Sequence, residues 1–137
     1  MKSALVLLAA VLLLAGCGGP KDPFVGTWRP VMNSDDGERL VIAKTHSGYL
    51  MTDYEKHDAF YQLRLTRRGD TLKGKLVLWV PSGPPVGTDS VVARFDSATK
   101  HISCELGTDP AESYSKLTTA TALPHPLRLL PPGESSS

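Results

Sequence analysis

The sequence holds only two cysteines, Cys17 and Cys104, among its 137 residues. One possible pair cannot supply the disulfide framework on which many small secreted domains depend, and modification of Cys17 would remove even that pair. Cys104 lies between Ile102 and Leu106 on one face of a predicted strand, without a cation or helix terminus beside it in the sequence to activate the thiol. We therefore predict that this thiol is buried and unreactive.

The sequence also lacks an excess of charge of either sign, because Lys and Arg total 15 and Asp and Glu total 14. Residues 1–16, interpreted below as a cleaved segment, contain one of the basic residues, Lys2, so the remaining chain is formally neutral. A neutral chain has no basic surface to attract nucleic acid or anionic lipid. We therefore expect no nucleic-acid partner, and we expect a monomer.

The sequence lacks a hydrophobic run of membrane-spanning length. Its main apolar run, Ala4–Leu14, falls short of the roughly 20 residues that a transmembrane helix needs. Lys2 precedes this run, and the small residues Ala15 and Gly16 follow it. This arrangement is typical of a cleaved signal peptide over residues 1–16.

The segment Leu14-Ala15-Gly16-Cys17 resembles the lipobox of bacterial lipoproteins. The resemblance implies cleavage before Cys17, acylation of Cys17 with chains such as palmitate, and a lipidated tether over residues 17–23. Gly18, in place of an aspartate, resembles the pattern sent to the outer membrane. It implies a membrane-anchored envelope lipoprotein that faces the periplasm. The alternative is an ordinary signal peptide with Cys17 merely close to its cleavage site.

No convincing period of 3.6 residues occurs between Phe24 and Thr118. Instead, short segments with alternating apolar residues recur, separated by turn-forming residues. They predict eight strands, at 24–29, 39–45, 49–55, 59–67, 71–80, 90–96, 101–106 and 113–118. Antiparallel strands with one apolar face must hide their edges, and short links between neighbours favour an up-and-down closed β-barrel. We therefore predict an all-β fold over residues 24–118.

The composition changes after Thr118, where prolines and serines become frequent. We interpret Thr119–Ser137 as a disordered, flexible tail. The alternative is a docking peptide for another envelope protein.

The opening segment Phe24-Val25-Gly26-Thr27-Trp28 resembles the Gly-x-Trp signature of lipocalin-like (calycin) barrels. The resemblance implies that Gly26 and Trp28 close the floor of the barrel. It also implies that a cation from the last strand lies over the tryptophan, and Lys116 is the residue in place, where an arginine is usual. Family members mostly carry small hydrophobic ligands, which is the function that the resemblance implies here.

The sequence carries none of the common catalytic or metal-binding motifs. The four histidines are not spaced as metal ligands, so we expect no metal site, no cofactor and no enzymatic activity. Asp53 and Glu55 share a strand face, which we place at a solvated rim where their pKa values would stay near normal.

Two aromatic residues are the candidate binding contacts. Tyr61 alternates with Leu63 and Leu65, which predicts a phenol inside the barrel, beside apolar walls that either form a pocket or are packed solid. Trp79 is predicted to point outward, where it would contact a partner or a membrane surface unless the adjacent loop Pro81–Gly87 covers it.

Two hypotheses of function follow. The first is an anchored envelope protein whose barrel binds a small hydrophobic ligand or an envelope partner without catalysis. The alternative is a protein-binding inhibitor or assembly factor, in which a filled barrel presents the loops Asn33–Gly37 and Pro81–Gly87. A third possibility, a hydrolase or transferase, would need a polar cluster inside the barrel, which the alternation does not predict.

Overall fold

The computed structural model describes residues 21–32, 37–78 and 87–129. These residues form β1 (Gly26–Pro30), β2 (Glu38–Lys44), β3 (Tyr49–Glu55), β4 (Asp58–Arg68), β5 (Thr71–Leu78), β6 (Gly87–Phe95), β7 (His101–Leu106), β8 (Glu112–Thr118) and β9 (Arg128–Leu129). None of the described ranges contains a helix long and apolar enough to cross a membrane. The predicted signal peptide, Cys17, Trp79, residues 33–36 and 81–86 of the predicted loops, and residues 130–137 lie outside the described residues.

The first eight strands form a closed barrel. Each pairs antiparallel with its neighbours in chain order, and β1 also pairs with β8. Because the first and last strands pair, the barrel has no free sheet edge of the kind that promotes aggregation. The predicted all-β, antiparallel, up-and-down barrel of eight strands is confirmed, and it is compatible with a lipocalin-like fold.

The predicted strand bounds agree closely for most strands and differ most around β5 and β6. β5 is described as far as Leu78, and the last two residues of the predicted strand, 79 and 80, lie outside the described residues. β6 includes Gly87, three residues before the predicted start. Leu78 and Gly87 are paired in the ladder. Strand pairing needs backbone groups but no apolar side chains, which is why the alternation missed the beginning of β6.

Alternate residues of each strand face the barrel interior, and at one end they fill it. We call this the floor end; it carries the turns at 45–48, 69–70 and 96–100. Six of the large side chains that fill it are fully buried: Trp28, Leu40, Ile42, Met51, Leu72 and Ile102. Burying a side chain of this size contributes about 1.5 to 3 kcal/mol, so the floor end supplies most of the described core.

Gly74 provides room within this packing. A Cβ atom at this position would lie 2.5 Å from Leu65 Cδ2 and 2.5 Å from the Arg64 carbonyl oxygen. The absence of a side chain on β5 therefore lets Leu65 of β4 fill the interior.

The opposite end, which we call the upper end, carries the turn at 56–57 and the loop at 107–111. Here β4 and β5 separate, because their described pairing runs only from Leu65–Gly74 to Arg68–Thr71. β3 pairs with β4 along one edge as far as Asp58. The short β9 pairs parallel to β4 at Asp58 and Ala59 and therefore occupies the edge that β5 leaves free.

Residues 119–129 connect β8 to this edge across the outside of the barrel. The Thr27 hydroxyl donates a hydrogen bond to the Ala120 carbonyl oxygen over 2.8 Å, and the Arg128 N–H donates to the His57 carbonyl oxygen over 2.8 Å. Arg128 also forms an ion pair with Asp58 at 3.0 Å. Within the predicted tail, residues 119–129 thus contact the barrel through backbone pairing and an ion pair with β4.

Candidate functional site

The floor of the barrel is built around Trp28, whose side chain is fully buried. Its indole N–H donates a hydrogen bond to the Phe24 carbonyl oxygen over 2.9 Å, and Lys116 Nζ lies 4.9 Å from the centre of its ring. Gly26 approaches β8 so closely that a Cβ atom would lie 2.5 Å from the Thr118 carbonyl oxygen. The structure thus places Gly26, Trp28 and Lys116 together at the floor end of the barrel.

A second group of side chains covers the floor from below. The Phe24 ring makes edge-on contacts with Tyr49 and Phe95, with ring centres 6.2 and 6.1 Å apart. The Arg67 guanidinium lies 5.2 Å from the centre of the Phe24 ring and 3.4 Å from the Asp22 carboxylate. The Tyr49 hydroxyl also donates to Asp22, so the floor end is both filled and hydrogen-bonded.

The interior changes character toward the upper end. The inward-facing side chains of Tyr61, Leu76 and Leu106 are only partly buried, although they pack against the core. Solvent therefore reaches inward-facing positions in this half of the barrel, whereas it does not reach Trp28 or Leu40. We call the region between Leu40 and the upper end the upper chamber.

Asp53 is the central polar residue of the upper chamber. It follows Tyr49 and Met51 on the inward face of β3, and it is only 6% exposed. Its Oδ1 atom has no hydrogen-bond partner among the described residues. Burial, followed by the charge of Glu38 and a hydrogen bond with Glu38, raises the pKa of Asp53 to about 9. At neutral pH this carboxyl group is therefore protonated.

This result corrects the prediction that Asp53 lies at a solvated rim with an ordinary pKa. The alternation correctly assigned the face of β3, but it could not assign the depth of Asp53 in the barrel. The pairing of Asp53 with Leu40 on β2 and Tyr61 on β4 sets that depth, and Leu40 is fully buried. The available sequence signal was that Asp53 continues the face of β3 that carries Tyr49 and Met51.

Three other inward-facing groups lie within electrostatic reach of Asp53. Burial, and then the charge of Asp53, raises the pKa of Tyr61 and of Tyr114 well above the ordinary range and that of Cys104 to about 12. The Tyr114 hydroxyl donates a hydrogen bond to Glu112 over 3.2 Å. The upper chamber thus joins protonatable groups from five strands: Glu38, Asp53, Tyr61, Cys104, Glu112 and Tyr114.

The chemistry of this cluster is that of hydrogen bonding and negative charge. Among the described residues, no group of three or more His, Cys, Asp or Glu side chains is placed to hold a metal ion. The Cys104 thiol, with its raised pKa, is a poor nucleophile. The polar interior that the sequence did not predict is therefore suited to binding a donor-bearing molecule, with apolar walls at Leu76 and Leu106.

Two depressions described by the structure lie elsewhere, both at the floor end. One, of about 520 Å³, is lined by Arg94, His101 and other residues around the turn at 96–100. The other, of about 330 Å³, is lined by Thr45, Arg64 and neighbouring residues. Neither contains any residue of the polar cluster.

The other predicted site residues, the contacts Tyr61 and Trp79 and the lipidation site Cys17, fall into two sets. Tyr61 lies in the upper chamber, paired with Asp53 across β3 and β4. Trp79 and Cys17 lie outside the described residues, so their predicted roles remain predictions.

No protein-family model, no curated protein and no solved structure matches this chain. The fold and the site therefore define the protein only as a small, closed, up-and-down β-barrel with a polar cluster in its upper half.

Proposed function

We propose that this protein is a lipid-anchored envelope protein whose barrel binds a small, mainly apolar molecule in the upper chamber without catalysis. The observation that carries the proposal is the Asp53 Oδ1 atom, which is buried in the upper chamber and has no described hydrogen-bond partner. A buried polar atom without a hydrogen bond costs about 1 to 3 kcal/mol. A ligand that donates a hydrogen bond to this atom would recover that cost.

The walls of the upper chamber favour a ligand that is apolar over most of its surface. Leu76 and Leu106 face inward, are partly exposed to solvent, and pack against the core. Tyr61 provides a partly buried aromatic ring beside Asp53. Apolar walls with a few convergent polar groups are the usual composition of small-molecule sites.

The anchor belongs to the same proposal, through acylation of Cys17. Two or more acyl chains, each contributing about 0.8 kcal/mol per buried methylene, would hold the protein at a membrane durably. The test is mass spectrometry of the protein from bacterial membranes. We expect the chain to begin at Cys17 and to carry acyl groups, and a chain with a free Cys17 thiol would contradict the anchor.

The binding proposal is tested by native mass spectrometry of the full chain after incubation with a crude envelope extract. We expect one small molecule bound per chain, and loss of this adduct in Tyr61→Glu, which places a charge in the chamber. Lys73→Glu, at an exposed position on β5, is the control and should retain the adduct. A chain that stays free of any small molecule would overturn the proposal.

The second candidate function, binding of a partner protein at the upper rim, is favoured by one observation. Val31 and Met32 are 44% and 77% exposed and directly precede residues 33–36 of the predicted binding loop. A photoreactive amino acid at position 32 would then form one defined protein adduct in intact cells, and the same label at Lys73 would not. Equal labelling at the two positions would remove this candidate.

A further inference from the structure

Four cations gather on the outer face of β4 and β5, toward the floor end of the barrel. The outward-facing side chains of Arg64 and Arg68 on β4 and of Lys73 and Lys75 on β5 are all exposed. We call this group the basic patch. It corrects the prediction that a formally neutral chain has no basic surface, because the total charge does not determine how folding distributes the charges.

Strand pairing brings the four side chains together. Thr66 pairs with Lys73, and its hydroxyl donates a hydrogen bond to the Lys73 carbonyl oxygen over 3.4 Å. Arg64 and Arg68 lie two residues on either side of Thr66, so each is a diagonal neighbour of Lys73, at roughly 7 to 8 Å. Lys75 follows two residues along β5, at about 7 Å. Lys73 thus has three like charges around it.

The described residues supply no countercharge within the basic patch. Its remaining outward-facing residues are the uncharged Thr66 and Thr71, and none of the four cations forms an ion pair with a described residue. The carboxylates at its borders are Asp70, which the Thr71 hydroxyl contacts over 3.2 Å, and Glu105, which pairs with Arg94 at 3.2 Å. Like charges on neighbouring strands repel each other, and an anionic partner would relieve that repulsion.

The basic patch lies beside the point where the chain enters the barrel. Arg68 follows Arg67, whose guanidinium pairs with Asp22 at 3.4 Å. Five residue steps separate Asp22 from Cys17, and they span at most about 18 Å. A lipid anchor at Cys17 would therefore hold the floor end, and the basic patch with it, close to a membrane.

We propose that the basic patch binds the headgroups of anionic phospholipids, as a second membrane contact beside the acyl anchor. This inference rests on the membrane location in the proposed function and names the class of lipid at the surface. Clusters of four or more Lys and Arg residues attract an anionic leaflet within about one Debye length. The depression of about 330 Å³ opens beside Arg64 and is also lined by Thr45, Ser47 and Thr66, whose hydroxyls can donate to a phosphate oxygen.

Other anionic partners fit the basic patch less well. Side chains on the outside of a closed barrel point apart, so the four cations suit an extended array of charges better than one small anion. Single-stranded nucleic acid is usually bound through aromatic side chains on which its bases stack, and the patch contains none. An acidic protein segment would have to compete with the bilayer that the anchor brings to this side of the floor. An anionic lipid surface is both extended and already close.

The experiment is vesicle flotation of the purified full chain with Cys17→Ser, which cannot be acylated at this position. The vesicles contain either phosphatidylcholine alone or equal parts of phosphatidylcholine and phosphatidylglycerol. At low salt we expect an affinity at least about tenfold higher for the phosphatidylglycerol vesicles, since each basic residue near an anionic surface contributes about fivefold. High salt should remove most of this difference. The apolar run Ala4–Leu14 is present in every chain and adds equally to both affinities.

Matched variants assign the effect to the basic patch. Lys73→Glu with Lys75→Glu should lower the affinity for phosphatidylglycerol vesicles at least about tenfold. Both positions are exposed and have like charge around them, so this variant should fold at least as stably as the unaltered chain. Arg29→Glu with Lys56→Glu makes the same change in net charge at exposed positions of β1, across the barrel from β5, and of the β3–β4 turn. It should lower the affinity less than about threefold, because these positions lie beyond a Debye length from the patch.

The outcomes separate this inference from the proposed function. Equal binding to the two kinds of vesicle, or equal losses in the two double variants, overturns the inference and leaves the anchor and the upper chamber to their own tests. Tighter binding of a single-stranded oligonucleotide or of polyglutamate than of phosphatidylglycerol vesicles also overturns it. If mass spectrometry finds a free Cys17 thiol while the chain prefers phosphatidylglycerol vesicles, the acyl anchor fails and the basic patch stands as the membrane contact. Lys73→Glu should retain the small-molecule adduct, since its side chain points away from the upper chamber.

Discussion

Lys116 Nζ lies 4.9 Å from the centre of the Trp28 ring and donates a hydrogen bond to the Pro23 carbonyl oxygen over 2.9 Å. One cation thus joins three parts of the floor: the last strand of the barrel, the first strand, and the segment that enters it. Burial lowers the pKa of Lys116, and the nearby Asp22 carboxylate partly opposes this shift. The contact is therefore a structural element of the floor.

The first prediction concerns this contact. Lys116→Met should lower the free energy of unfolding by about 1 to 2 kcal/mol, because it removes a cation–π contact and a hydrogen bond. Lys116→Arg should retain most of the stability, since a guanidinium group can make both interactions. Urea denaturation measures the change, with Lys73→Met on the exposed face of β5 as the control. Equal stability of the Met and Arg variants would show that the contact contributes nothing.

The second prediction concerns the pH dependence of stability set by Asp53. Its folded-state pKa of about 9 lies above the unfolded value of about 3.9. Between these values the folded chain holds a proton that the unfolded chain lacks, so Asp53 reduces stability as pH rises, by at most about 1.4 kcal/mol per pH unit. Asp53→Asn removes this loss, so the variant should unfold at a higher temperature at pH 8 and show little advantage at pH 4.

Thermal unfolding of both chains between pH 4 and pH 9 tests this prediction. The titratable groups that interact electrostatically with Asp53 are Glu38 on β2, Tyr61 on β4, Cys104 on β7, and Glu112 and Tyr114 on β8. Asp70→Asn should not change the slope. A constant stability difference between Asp53→Asn and the unaltered chain at every pH would contradict the prediction.

The third prediction concerns the reactivity of Cys104. Burial and the neighbouring carboxyl groups raise the pKa of this thiol to about 12, so almost no thiolate is present at pH 8. Iodoacetamide should modify Cys104 at least about a hundredfold more slowly in the folded chain than in urea. Peptide mass spectrometry measures the rate at Cys104 alone. Rapid alkylation in the folded state would show that the upper chamber exposes this thiol.

The fourth prediction concerns the packing of Gly74. Gly74→Ala places a Cβ atom 2.5 Å from both Leu65 Cδ2 and the Arg64 carbonyl oxygen, so β4 and β5 must move apart. We expect a loss of about 1 to 3 kcal/mol, the usual cost of overpacking. Lys75→Ala, at the next and exposed position, is the control. If chemical denaturation shows equal losses for the two variants, the contact does not constrain the barrel.

The fold could be predicted from the sequence because its signals are local. The alternation of Tyr61, Leu63 and Leu65 assigns a face to β4, and short turns join neighbouring strands. The polar cluster could not be predicted, because the depth of Asp53 depends on how β2, β3 and β4 are staggered around the barrel. Alternation assigns a side chain to the inside but does not give its height.

The placement of β9 could not be predicted from the sequence either, for a different reason. Arg128 and Leu129 follow a segment rich in proline, and no apolar period marks them as a strand. They pair with β4 because β5 leaves that edge free, and this vacancy exists only in the assembled barrel. A sequence pattern reports what a segment prefers, and it does not report which edges the rest of the fold leaves open.

The two ends of the described chain leave the barrel at opposite poles. Asp22 is fixed at the floor through Tyr49 and Arg67, whereas Arg128 is fixed at the upper end through Asp58. If acylated Cys17 holds the chain at a bilayer, the few residues between Cys17 and Asp22 keep the floor next to the lipid headgroups. The barrel then stands upright on the membrane with its upper end directed into the aqueous compartment, so a ligand would arrive from solution and not by lateral diffusion from the lipid.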